Sequence, residues 1–164
     1  MRDLGSIPMG EPLAYLLTWT TYGTWLPGDE RSWVDEGKGI QQPNSKTRHE
    51  AQRKLAESSL LLDDDQRIIV ERTIRQHGEI RGWTILAVNC RTNHVHVVVQ
   101  APVHPDIVMG QFKSWCTRRL KEHQIGQNPT VTVRERWWTE DGSKRYLNNM
   151  ASVEGAMQYV LENQ

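Results

Sequence analysis

The sequence contains no apolar run near the roughly 20 residues that a bilayer-spanning helix requires, so it offers no candidate for such a span. Its opening stretch, MRDLGSIPMGEP, lacks the basic-then-apolar layout of a secretory signal. Cysteine is scarce. Cys90 and Cys116 form no CxxC pair, which argues against a disulfide framework or a cysteine-rich metal site and predicts reduced thiols in a core. Net charge is missing too: 20 basic residues cancel 20 acidic ones, which argues against wrapping long duplex DNA through bulk charge. No internal repeat or low-complexity segment is visible. These absences leave a cytoplasmic globular protein, expected to form one domain over residues 1–164.

Tryptophan, by contrast, is plentiful. Seven are many for 164 residues; packing is the default use for most of them and base stacking the alternative. Charge is also uneven locally. Lys113, Arg118, Arg119 and Lys121 carry positive charge with no acid between 111 and 121, which fits a solvated helix face or a phosphate-binding patch.

Leu13–Trp19 is short and rich in β-compatible side chains, so it reads as a strand, followed by a loop with Pro27-Gly28 and Pro43-Asn44 as breakers. Residues 46–58 allow a short helix. Asp63 or Asp64 caps a clearer helix to about His77, with Gly78 expected to close it. Trp83–Cys90 and His94–Gln100 form a predicted hairpin around Arg91-Thr92-Asn93. Pro102 and Pro105 end it, and Asp106–His123 reads as an amphipathic helix. Gly126 and Pro129 break the chain again. Val131–Trp138 has strand character, and residues 140–143 (EDGS) suit a turn leading to a return strand through Tyr146-Leu147. A last helix runs from about Ala151, with Ser152 as N-cap and Val153, Met157, Val160 and Leu161 as its apolar stripe. The order predicts an α+β fold: a ferredoxin-like split βαβ antiparallel sheet with an added C-terminal helix.

The chemistry-bearing residues lie late in this plan. On a strand, His94 and His96 point to one face while Val95, Val97 and Val99 point to the other, so the two imidazoles can share a metal ion. Two histidines on a polar sheet face would look the same. On the last helix, Tyr159 and Asn163 are spaced i, i+4 and share a face offset from the apolar stripe.

Taken together, these motifs resemble the single-tyrosine HUH transposases, and among them the REP-associated tyrosine transposases. His94-Val95-His96 matches the His-hydrophobic-His signature, with Asn93 before it and Val97–Val99 after it. YVLEN at Tyr159–Asn163 is similar to the family's tyrosine-helix motif, although Gln164 stands where proline is usual. TWTTYGTWLPGD at Thr18–Asp29 is similar to the family's first strand and loop, so the resemblance spans about 13–164.

The resemblance implies a metal-dependent endonuclease and strand transferase acting on single-stranded DNA at hairpins. Tyr159 would be the catalytic nucleophile, forming a 5′-phosphotyrosine link. His94, His96 and the amide of Asn163 would hold Mg²⁺ or Mn²⁺, with Gln164 or Gln158 as substitutes for Asn163. Lys113, Arg118, Arg119, Arg134, Arg136, Lys144 and Arg145 are the expected phosphate contacts. Trp137, Trp138 and Trp25 could stack on an unpaired base or pack in the core. The partner would be hairpin-bearing single-stranded DNA close to the nucleoid, and the protein a monomer or a homodimer. A catalytically inactive, domesticated hairpin binder is the alternative on the same fold. A histidine-triad nucleotide hydrolase is disfavoured, because Val98 occupies the third histidine position.

Overall fold

The computed structural model describes residues 12–24, 33–35 and 37–162. In chain order the elements are β1 (Ala14–Thr20), β2 (Trp33–Asp35), β3 (Gly39–Gln41), α1 (Ser45–Arg53), α2 (Asp64–Arg81), β4 (Thr84–Cys90), β5 (His94–Gln100), α3 (Pro105–Gln127), β6 (Ser143–Leu147) and α4 (Met150–Glu162). Strands β2 and β3 make a separate two-stranded hairpin. The main sheet has the order β4-β5-β1-β6 with every neighbour antiparallel. That order, with α2 between β1 and β4 and α3 between β5 and β6, is the split βαβ arrangement, and α4 is the added helix.

Strand alternation divides the core in two. Val95, Val97 and Val99 of β5 join Tyr15, Leu17 and Trp19 of β1 beneath α2 and α3, whose Val70, Ile74, Phe112 and Leu120 are fully buried. On the opposite face, Val98, Ala87 and Leu147 pack against Val153, Ala156 and Val160 of α4. A bulge in β4 matters here: the register shifts between Ile85 and Ala87, placing two residues opposite one. It resets the alternation so that Ala87 and Asn89 pair with Val98 and His96 on the α4 side.

The helices end differently from the sequence reading in three places. Helix α2 starts on a capping box, Asp63 with Gln66, but runs past Gly78 to a left-handed Gly82 at φ 72°. Gly78 is a packing position: a Cβ there would lie 2.8 Å from Ile85 Cγ1, so α2 needs hydrogen at this point to approach β4. Pro105 opens α3 as its first residue, behind His104 as N-cap, and the helix carries Gly126 within it. At α4 the cap is Asn149, whose Oδ1 accepts from Ser152 N at 2.8 Å, so Ser152 lies inside the helix; Leu161 is exposed.

The expected strand over 131–138 does not form. Only Trp138 makes an isolated bridge, to Thr21, and β6 pairs with β1 instead. Side chains hold this segment: Glu57 accepts from the backbone N–H of Glu135 and Arg136, and Arg134 donates to the Ser58 carbonyl at 2.6 Å. The backbone donors that a ladder would use are thereby spent on a carboxylate.

Candidate active site

The α4 face of the sheet carries a polar row beside its apolar patch. Cross-strand register sets Asn89 beside His96, His96 beside Thr18, and Thr18 beside Ser143. Directly opposed residues of antiparallel strands share a face, so four strands contribute to this row. His94 sits one step further along, opposite Thr20. The two imidazoles are 4.8 Å apart between centroids.

Each ring is held at Nδ1. Asn93 Oδ1 lies 2.7 Å from His94 Nδ1; a carbonyl oxygen only accepts, so in the neutral ring that nitrogen carries the proton and Nε2 keeps its lone pair. Thr18 Oγ1 lies 2.7 Å from His96 Nδ1. His96 is only 6% exposed. Its burial, reinforced by the neighbouring His94, pushes the imidazole down to about 4, so it is neutral at pH 7. A neutral, oriented imidazole binds a cation without first losing a proton. This donor set fits two ligands of a divalent ion. No group of three or more His, Cys, Asp or Glu side chains poised for a metal occurs among the described residues. An additional ligand would therefore be an amide or come from outside that set, and Asn163 and Gln164 lie outside the described residues.

Helix α4 brings the tyrosine to this row. Val153, Ala156 and Val160 recur at helical spacing and bury against the sheet. Tyr159, beside Val160, is 44% exposed, and its ring meets the His96 ring edge-on at 5.4 Å between centroids. Tyr159 and both histidines are thus brought together within one chain. The thiols belong elsewhere. Cys90 and Cys116 are buried, and burial, with Glu71 adding, raises Cys90 to about 12; burial also raises Cys116.

The residues expected to contact DNA scatter. Arg145 is exposed and pairs with Leu16 on the histidine face of the sheet. Lys144, its neighbour, points to the other face and bridges to Asp106 at 2.7 Å. Lys113 is drawn into the loop after Trp138, donating to the Thr139 carbonyl at 3.1 Å and to the Asp141 carbonyl. Arg119 pairs with Glu122 at 2.8 Å and Lys121 with Glu135 at 2.7 Å, so two of the four α3 cations have a close carboxylate partner within the protein. Arg118 and Arg119 flank the Trp115 ring at 5.2 and 5.6 Å. Arg134 clamps Ser58, and Arg136 is exposed. The core alternative holds for Trp137, which is 2% exposed with its indole N–H on the Arg134 carbonyl. Trp138 is partly buried, its indole N–H bonded to Thr117 Oγ1. Trp25 lies outside the described residues.

Sequence reasoning missed Thr18 and Asn89 as members of the row. Their signal was present as polar residues inside strands of otherwise apolar or β-branched character, but only strand pairing shows that they flank His96.

A crystal structure of a candidate transposase from Deinococcus radiodurans R1 is similar to this chain, with 16% identity, a TM-score of 0.44, and coverage of 93% of this chain and 91% of that one. No curated protein matches. The sequence pattern of a family described as "Transposase IS200 like" matches residues 55–163, a span holding both histidines and Tyr159. The chain belongs to the IS200-like transposase family.

Proposed function

We propose that this transposase-family protein cleaves single-stranded DNA at hairpin elements through Tyr159 and rejoins it by reversing the same step. The observation that carries the reading is the edge-on contact of Tyr159 with His96, beside a second histidine oriented on the same face. The Tyr159 oxygen attacks the scissile phosphorus as its proton is lost, and the bond to the 3′-oxygen breaks. The products are a 5′-phosphotyrosine link and a free 3′-hydroxyl. Because the link keeps the phosphodiester's bond energy, a 3′-hydroxyl can attack it and expel Tyr159, which gives strand transfer without ATP. His94 and His96 would hold a Mg²⁺ or Mn²⁺ ion, with the Asn163 amide as third ligand, and the bound ion would offset phosphate charge. Asn93 and Thr18 keep the rings oriented, and Arg145 and Arg136 lie exposed for phosphate contact. We assign this activity to a single domain acting as a monomer or homodimer on nucleoid DNA.

The test is a hairpin oligonucleotide labelled on the side retained by the protein, incubated with Mn²⁺ and resolved under denaturing conditions. The wild type should yield a covalent adduct that Tyr159→Phe and His96→Ala do not. Absence of an adduct in the wild type, with retained hairpin binding, would establish the inactive, domesticated binder instead.

A further inference from the structure

Helix α4 meets the sheet almost entirely through small and apolar side chains, Val153, Ala156 and Val160, with Met157 at the edge. Such a stripe fixes which face is buried but constrains sliding and rotation weakly. Asn89 adds a directional polar contact beside the Tyr159–His96 ring contact. Its Nδ2 donates to the Val160 carbonyl at 3.0 Å, although the two residues are 71 positions apart in sequence. Val160 follows Tyr159 directly, and Asn89 is the cross-strand partner of His96. One side chain thus joins the strand position beside the histidine to the backbone beside the tyrosine.

From this we infer that Asn89 is a positioning residue that locks the tyrosine helix in register over the histidine pair; the inference rests on the proposed role of Tyr159. Val160 belongs to the last turn of α4, where carbonyls run short of intrahelical donors. Asn89 therefore satisfies an acceptor that the buried side of the helix would otherwise leave to a competing contact. The hydrogen bond is directional, so it specifies the height and rotation of α4 that the apolar stripe leaves loose. The bulge in β4 is part of the device, because it sets Asn89 on the α4 face. Misplacing a nucleophile by about 1 Å costs on the order of 100-fold in rate, so a lock at this position acts on chemistry rather than on affinity.

The experiment replaces Asn89 with leucine, which is similar in size and cannot donate. Two readouts are taken: the single-turnover cleavage rate on saturating hairpin oligonucleotide with Mn²⁺, and the ¹⁹F resonance of Tyr159 in fluorotyrosine-labelled protein, assigned with Tyr159→Phe. The expected result is a 10- to 100-fold slower rate with DNA affinity within twofold of wild type, and a broadened or displaced Tyr159 line. A rate within threefold of wild type, or a slower rate with an unchanged line, overturns the proposal. If the wild type itself fails to cleave, the nuclease reading fails, and the ¹⁹F line alone decides whether Asn89 holds Tyr159. Should Asn89→Leu not fold, hydrogen exchange of the Asn89 side-chain amide in the wild type decides: slowed exchange supports the lock, and exchange at the rate of an exposed asparagine overturns it.

Discussion

Thr18 on β1 and His96 on β5 are cross-strand partners joined by a hydrogen bond of 2.7 Å between Oγ1 and Nδ1. The hydroxyl fixes the ring's rotation and, where Nδ1 donates to it, leaves Nε2 as the basic nitrogen. Thr18→Val keeps the β-branched shape while removing this partner. Affinity for the divalent ion proposed at His94 and His96 should fall about 10- to 100-fold, as loss of such a support typically does. Titration of Mn²⁺ followed by electron paramagnetic resonance checks it; equal affinity in both proteins would mean that the hydroxyl does not orient the ligand.

Burial of His96 should also make the metal-free protein sensitive to acid. The folded state holds this imidazole near 4, below its ordinary value of 6.5, so the unfolded chain binds more protons between those limits. Stability is therefore fully present above about pH 6.5 and is lost as pH falls toward 4. The expected loss is about 1–3 kcal/mol across this window. Urea unfolding in EDTA at several pH values, compared with His96→Asn, isolates the contribution. If both proteins lose the same stability on acidification, the histidine is not its source.

The two faces of β6 should separate structural from DNA-contacting cations. Lys144 is committed to Asp106, whereas Arg145 is exposed on the histidine side. Arg145→Ala should weaken binding of single-stranded DNA and reduce the salt dependence of log affinity by about 0.7, the value for one lost phosphate contact. Lys144→Ala should leave that slope unchanged. Affinity measured over a range of salt concentrations distinguishes them, and an unaltered slope for Arg145→Ala removes it from the interface.

Much of this architecture was legible in the sequence, and the failures share a cause. β-branched runs at 84–90 and 94–100 predicted the hairpin, and the period of two put both histidines on one face. Their juxtaposition with Tyr159 was implied only by the family resemblance, because the helix stripe places Tyr159 on an offset face without saying what it meets. Residues 131–138 misled because strand propensity says nothing about a glutamate 78 positions away that accepts the segment's amide protons. The ion pairs of the α3 cations were equally hidden: Glu122 and Glu135 lie beyond the acid-free window that made the cluster conspicuous. Trp137 has the residue type of a stacking platform, and only burial assigns it to the core. Asn89 was legible only as a polar residue inside a strand, because its meaning depends on a bulge and on a helix far along the chain.

Gly78 offers a test of the close packing that carries β4, and with it Asn89, into place. A Cβ on residue 78 would meet Ile85 Cγ1 at 2.8 Å and Ile85 Cδ1 at 3.0 Å, distances that ordinary packing does not tolerate. In an isolated helix Gly→Ala would stabilise by about 1 kcal/mol through propensity. Here overpacking should win, costing about 1–3 kcal/mol because Ile85 is held against the core between α2 and the sheet. Ile85→Val removes the Cδ1 methyl and relieves part of the clash, so the double variant should be more stable than the sum of the single effects predicts. Thermal or urea unfolding of the four proteins in the cycle gives the coupling. A stabilising Gly78→Ala, or strictly additive effects, would show that α2 and β4 do not touch at this point.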